Sequence, residues 1–210
     1  MTPSGVESVR CQVSDKIQFD IEDEEEDEEE EGVPPSLVGL VGEVEEETTQ
    51  AVLSNMIDLY GGRLFGDIPD LEAPPIEFLI STSGGAVQDM FAIYDLMRLI
   101  REQRQIYTYG VGKVMSAGIL LLAAGTKGHR HIGKHCRIML HHVMSSETGP
   151  LPNLQSTFKE AHVMEKMMFE AIAAETNLTI AELRRVCSKN TDVFFTAEEA
   201  VKMGIVDIII

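Results

Sequence analysis

Between Leu37 and Ala124 one pattern runs three times: a short apolar stretch, a glycine-bearing turn, then a segment whose apolar residues recur three and four apart. Few architectures accept that order. Leu37-Val38-Gly39-Leu40-Val41, Ile76 to Ile80 and Ile106 to Tyr109 predict short buried strands. The sets Val52, Leu53, Met56, Ile57, Tyr60 and Val87, Met90, Phe91, Tyr94, Met97, Ile100 predict helices with one apolar side. Strand and helix in alternation predict an α/β domain with a parallel sheet and right-handed crossovers. Loops leaving the strand C-termini then share one edge of the sheet, where open α/β sheets hold ligands. The glycine turns at Gly84-Gly85 and at Gly110 to Gly118 both fall on that edge.

Downstream, His129 to Ile132 and Arg137 to His141 predict two short strands, and a long helix is expected from Leu154 to Glu175 with Phe158, Ala161, Met164, Met168, Phe169 and Ile172 on its apolar side. Thr179 with Glu182 forms a capping box for a helix from Ile180 to Ser188. Thr196 caps another that Gly204 ends, and Ile205 to Ile210 predicts a closing strand. Arg63 to Pro75 is an irregular connection longer than most inside a compact domain.

Charge divides the chain. The formal net charge is −18, and residues 1–32 alone hold 13 acids against 2 bases, ten of the acids consecutive from Glu22 to Glu31. Such a block repels itself more than it can bury. Residues 1–32 are therefore expected to be a disordered acidic tail, either solubilising or used in gating or docking, and residues 33–210 the folded domain. The acidity also argues against nucleic acid as a partner, since phosphate binding needs clustered Lys and Arg. The three cysteines, Cys11, Cys136 and Cys187, are odd in number and widely spaced, which favours a reducing compartment. No apolar stretch is long enough to cross a bilayer, so a cytoplasmic protein without a membrane partner is expected.

Gly112-Lys113-Val114-Met115-Ser116-Ala117-Gly118 leads straight into the apolar run Ile119 to Ala124. A serine at a helix start lies beside unpaired backbone N–H groups and the positive end of the helix dipole, a place suited to an alkoxide and an oxyanion. Its hydroxyl would need a neighbouring base and a carboxylate to orient that base. His141, closing a strand, and Asp192, just before Val193-Phe194-Phe195, are candidates, though spacing alone does not join them. His129, His131, His135, Cys136 and His141 are of zinc-ligand type, but no Cys-x-x-Cys pair exists and they sit on short strands, so no metal is expected. His142 should face away from its neighbour on an extended segment. Asp207 reads as a strand-end residue and not as the orienting acid.

These residues carry a resemblance. Leu40-Val41-Gly42-Glu43-Val44, Ile80 to Gly85, Met115-Ser116-Ala117-Gly118, Ala123-Ala124-Gly125-Thr126-Lys127-Gly128, Arg137-Ile138-Met139-Leu140-His141, Asp192 to Ala200 and Gly204-Ile205-Val206-Asp207 follow, in order, motifs of the proteolytic subunit of the caseinolytic Clp proteases. Ser81-Thr82-Ser83 stands where that family commonly has Asn-Ser-Pro, and His142-Val143 where it has Gln-Pro. The resemblance implies a ClpP/crotonase-like fold of repeated β-β-α units in a superhelix with a long protruding handle helix. It implies a serine endopeptidase in which Ser116 is the nucleophile, His141 the general base and Asp192 its orienting partner, with the N–H groups of Gly85 and Ala117 as oxyanion hole. It further implies a homo-oligomer of two stacked heptameric rings acting on unfolded polypeptides and peptides. An AAA+ unfoldase such as ClpX, ClpA or ClpC would feed it and use the ATP, and this chain would need no cofactor or metal. Two other readings fit parts of the pattern: an acyl-coenzyme-A hydratase or isomerase reusing the oxyanion hole, and an inactive ring scaffold.

Overall fold

The computed structural model describes residues 36–61, 73–144, 148–188 and 191–210. The expected acidic tail and most of the 63–75 connection lie outside them. In chain order the elements are β1 (Leu37–Val44), α1 (Glu46–Leu59), β2 (Ile76–Gly85), α2 (Val87–Arg101), β3 (Ile106–Met115), α3 (Ala117–Ala123), β4 (Arg130–Ile132), β5 (Arg137–Leu140), α4 (Leu151–Glu175), α5 (Ile180–Cys187), β6 (Val193–Phe195), α6 (Ala197–Lys202) and β7 (Ile208–Ile209).

The main sheet runs β1-β2-β3-β4-β7, and every pairing along it is parallel. β3 is shared. Its Thr108 to Gly110 pair with β4, whereas its Lys113 to Met115 pair with β5, which in turn pairs antiparallel with β6. The expected α/β class with a parallel sheet is therefore present, and the β-then-helix units of the first half follow the expected order.

Three strands outrun their expected ends. β1 continues past Gly42 to Val44, β2 passes through Ser81-Thr82-Ser83 to Gly85, and β3 passes Gly110 and Gly112 to Met115. The glycines expected to end these strands instead sit beside irregularities within them: the β1–β2 register shifts between Gly42 and Glu43, and the β2–β3 register between Ile80 and Thr82. A bulge absorbs an extra residue and lets pairing resume beyond it, which takes the strand ends deeper into the edge where the turns lie.

Burial follows the alternation. Val38, Leu40, Ile76, Phe78, Ile80 and Ile106 form the core layer, covered by Val52 and Met56 of α1 and by Met90, Ile93, Met97 and Ile100 of α2. Every residue of α3 is buried, which is why its sequence lacks a polar face. α4 differs from expectation. It starts at Leu151, with Pro152 in the first turn where its missing N–H costs nothing, and only Met168, Phe169, Ile172 and Glu175 are buried. Phe158, expected on the apolar side, is 62% exposed. Among the described residues no side chain in the first half of this helix is fully buried.

A charged cluster locks the C-terminal end of α4 to the rest. Glu175, 5% exposed, receives both Arg101 guanidinium nitrogens at 2.8 and 3.0 Å and the Tyr94 hydroxyl at 3.2 Å. Arg130, 3% exposed, donates to the Glu175 carbonyl and forms a two-point pair with Asp207, which also accepts from the Gly128 N–H. Asp207 is thus committed to Arg130, consistent with its reading as a strand-end residue. Burial pushes the Glu175 carboxyl up, but the Arg101 hydrogen bond and charge outweigh it and the net shift is down. The Arg130 hydrogen bond likewise holds Asp207 below its ordinary value.

Both acids therefore favour the folded state above the ordinary carboxylate range, and that contribution disappears as pH falls through their depressed values. Glu175→Gln, which leaves Arg101 without its anionic partner, is expected to lower stability by about 3 kcal/mol at neutral pH. Urea melts at pH 7 and pH 4 should show a smaller gap between variant and wild type at the lower pH. An equal gap at both would mean that the carboxylate charge contributes nothing.

Candidate active site

Ser116 joins the end of β3 to the start of α3, and its backbone adopts φ 52° and ψ −118°. Among the described residues no other non-glycine has a positive φ. That conformation costs an L-residue about 1–3 kcal/mol and persists only where the surroundings impose it. Here the imposition is visible: the Ser116 N–H donates to the Met139 carbonyl at 2.8 Å, extending the β3–β5 pairing, while its carbonyl already accepts from the Ile119 N–H at 3.0 Å. The chain must turn from strand to helix within one residue. The Ala117 and Gly118 N–H groups open α3 and have no acceptor within it.

Gly84 and Gly85 bring β2 against this turn. A Cβ on Gly84 would lie 2.6 Å from the Ser116 Cβ, and one on Gly85 would lie 2.0 Å from the Val44 carbonyl oxygen. A Cβ on Gly118 would come equally close to Thr82. Glycine is required at these places because backbone and side chain from three elements meet without room for a methyl group.

Register brings in the other candidates. β5 pairs with β6 as Ile138 with Phe195, Met139 with Phe194 and Leu140 with Val193, so the next positions on the two strands are His141 and Asp192. β5 also pairs with β3 through Met115 and Met139, one residue short of Ser116. Ser116, His141 and Asp192 thus stand at one end of three adjoining strands, although they lie far apart in sequence.

A cavity of about 260 Å³ opens there, lined by Ser116, Ala117, Gly84, Gly85 and His141 together with Glu43, Ser83, Val87, Val143, Met144 and Met168. Four of the five expected site residues share it: Ser116, His141, Gly85 and Ala117. Asp192 is exposed and does not line the cavity. Among the described residues no side-chain hydrogen bond links Ser116, His141 and Asp192 to one another. Such bonds are often long or poorly aligned before substrate arrives.

The wall contains residues that the sequence did not single out. Met168 comes from the buried part of α4 and Met144 and Val143 from the segment after β5, giving one apolar side. Glu43 and Ser83, the latter accepting from Lys113 Nζ at 2.6 Å, give a polar one. The Gly84-Gly85 doublet was the only sequence signal pointing to the β2 side. His142 is absent from the lining, and its Nδ1 lies 2.6 Å from Glu165 Oε1 on α4.

Of the residues of zinc-ligand type, two are held in ring stacks. The His129 ring stacks on Tyr107 and the His131 ring on Tyr109, at 4.1 and 4.6 Å between centroids. Cys136 is buried, and burial pushes its thiol up to about 11, away from the thiolate a metal would need. Among the described residues no group of three or more His, Cys, Asp or Glu could hold a metal ion. No helix among them is long and apolar enough to cross a membrane.

Comparison with known proteins identifies the family. The family model described as Clp protease matches residues 36–210. The ATP-dependent Clp protease proteolytic subunit 4 of Rhodococcus jostii (strain RHA1) is 33% identical over 174 residues, covering 83% of this chain and 84% of that protein. Proteolytic subunit 2 of Mycolicibacterium paratuberculosis (strain ATCC BAA-968 / K-10) is 37% identical over 135 residues, covering 64% of this chain and 66% of its own length. Proteolytic subunit 2 of Thermobifida fusca (strain YX) is 30% identical over 174 residues, covering 77% and 84%. With the family model matched along the whole described region and the relatives matched over most of their length, the chain belongs to the Clp protease family of serine peptidases.

Proposed function

We propose that this chain is the proteolytic subunit of an ATP-dependent Clp protease, cleaving unfolded polypeptides with Ser116 as nucleophile, His141 as general base and Asp192 as the group that orients the base. The observation that carries this reading is the strained Ser116 at the opening of α3, sharing one cavity with His141. In the reaction His141 takes the Ser116 proton as Oγ attacks the scissile carbonyl, and the developing oxyanion is held by the Gly85 and Ala117 N–H groups. His141 then returns the proton to the leaving amine, and water attacking the acyl-enzyme releases the second product by the same steps in reverse. Asp192, one position beyond the Leu140–Val193 pair as His141 is, would orient the imidazole.

The reading extends to assembly. Exposed Leu151, Phe158, Val163 and Met167 on α4 support burial of this helix against other copies, in two stacked heptameric rings that enclose the cavities. An AAA+ unfoldase of the ClpX, ClpA or ClpC kind would hydrolyse the ATP and feed the rings, leaving this chain without a cofactor, in the cytoplasm. The acidic residues 1–32 would serve as the tail of the domain formed by residues 33–210.

A serine-directed phosphonate probe tests the chemistry. The assembled wild-type protein should be labelled at residue 116 and should hydrolyse a fluorogenic peptide, while Ser116→Ala should do neither. An assembled oligomer that the probe leaves untouched would instead be a scaffold.

A further inference from the structure

His142 sits between residues of the cavity without belonging to it. His141 precedes it, Val143 and Met144 follow, and these three line the cavity wall. β5 ends at Leu140, so the segment 141–144 lies beyond the regular strand. Its one side-chain hydrogen bond to α4, among the described residues, is the 2.6 Å contact between His142 Nδ1 and Glu165 Oε1. Met168, three residues along the same face of α4, closes the cavity. Both partners are partly shielded, with 36% and 23% of their side chains exposed, so the bond competes with water less than a surface pair does. Glu165 also acts on α5, where its charge adds to burial in pushing up the thiol of Cys187.

An imidazole carrying its proton on Nδ1 donates to the carboxylate, and the backbone of residue 142 is thereby fixed relative to α4. His141 and Val143, on either side of His142, line the cavity, so fixing His142 on Glu165 also fixes where these two neighbours lie. Placement at this level matters, because a shift of about 1 Å in a reacting group costs on the order of a hundredfold in rate.

We propose that His142 and Glu165 are a positioning pair: their bond sets where the segment 141–144 lies on α4, and so aims the His141 imidazole and places the apolar wall that receives a substrate side chain. This rests on the reading of Ser116 and His141 given above. The pair touches no substrate and acts through its neighbours.

The test uses the full-length assembled protein. His142→Ala should lower kcat for a fluorogenic peptide, and the rate of phosphonate acylation, by about tenfold with less than a threefold change in KM and no change in oligomer size. His142→Asn, whose amide N–H occupies the place of Nδ1–H, should recover most of the loss. Glu165→Ala should match His142→Ala, Glu165→Gln should be mild, and the double alanine variant should be no worse than either single one. Methionine methyl NMR gives a readout independent of hydrolysis. The Met144 and Met168 signals should move in His142→Ala and return in His142→Asn, while those of the distant core residues Met56 and Met97 stay in place. Unmoved Met144 and Met168 signals, or an asparagine variant as impaired as alanine, would overturn the pairing. A wild-type protein that resists the phosphonate would overturn only the hydrolase reading, and the methyl spectra would still decide the pairing.

Discussion

Ser116→Gly is expected to abolish peptide hydrolysis and, at the same time, to raise the melting temperature. Loss of the nucleophile removes acylation, which in serine hydrolases lowers kcat by about 10⁴-fold or more. Ser116→Ala should be equally inactive. The two variants part on stability, because alanine keeps a Cβ in the φ 52° conformation and glycine does not. Relief of about 1–2 kcal/mol of backbone strain corresponds to a rise of roughly 2–8 °C for a domain of this size. Thermal melts of the three proteins, read beside hydrolysis rates, check both halves. Equal melting of the glycine and alanine variants would mean that the turn is not strained, and residual hydrolysis by alanine would place the nucleophile elsewhere.

Gly85→Ala should be nearly as damaging through a different route. The added methyl would fall 2.0 Å from the Val44 carbonyl oxygen and 2.8 Å from the Val44 nitrogen, both backbone atoms that no rotamer change can clear. Val44 and Gly85 are the last pair of the β1–β2 ladder, so that end of the ladder must part. Its displacement carries the Gly85 N–H away from the proposed oxyanion position, and losing one such donor costs about 10²–10³ in kcat. The expected result is that loss with KM little changed and with circular dichroism that still reports a folded protein. Gly39→Ala is the control, since nothing lies within 4 Å of its added Cβ. Wild-type kcat in Gly85→Ala would remove this N–H from the mechanism.

The order of elements was legible because hydrophobic periodicity is local: a reader needs only Leu37 to Val41 or Val87 to Ile100 to assign a strand or a helix. Strand length was not. Whether Gly42 or Gly110 ends a strand depends on whether a neighbour continues to supply partners beyond it, and β2 does so for both β1 and β3. Phe158 shows the same limit on a helix, where spacing identifies an apolar side but not what covers it. Ser116 was marked by its small neighbours and the apolar run after it. The proposed pairing of His141 with Asp192 depends on an antiparallel register between segments about fifty residues apart, so only family motifs pointed to it. Glu165 carried no signal at all, being one acid among several on an exposed helix.

β3 lies in two ladders, one with β4 and one with β5, and β5 alone carries β6. The proposed nucleophile and base therefore share one set of backbone bonds, and the proposed base and acid another. A slip of one residue between β5 and β6 would turn Asp192 to the opposite side and leave the register that places Ser116 beside β5 unchanged. Such a molecule would still react, slowly, with an activated acyl donor long after it had stopped cleaving amides. Under the proposed mechanism, catalytic competence would thus be lost in two separate stages without unfolding the body that carries it.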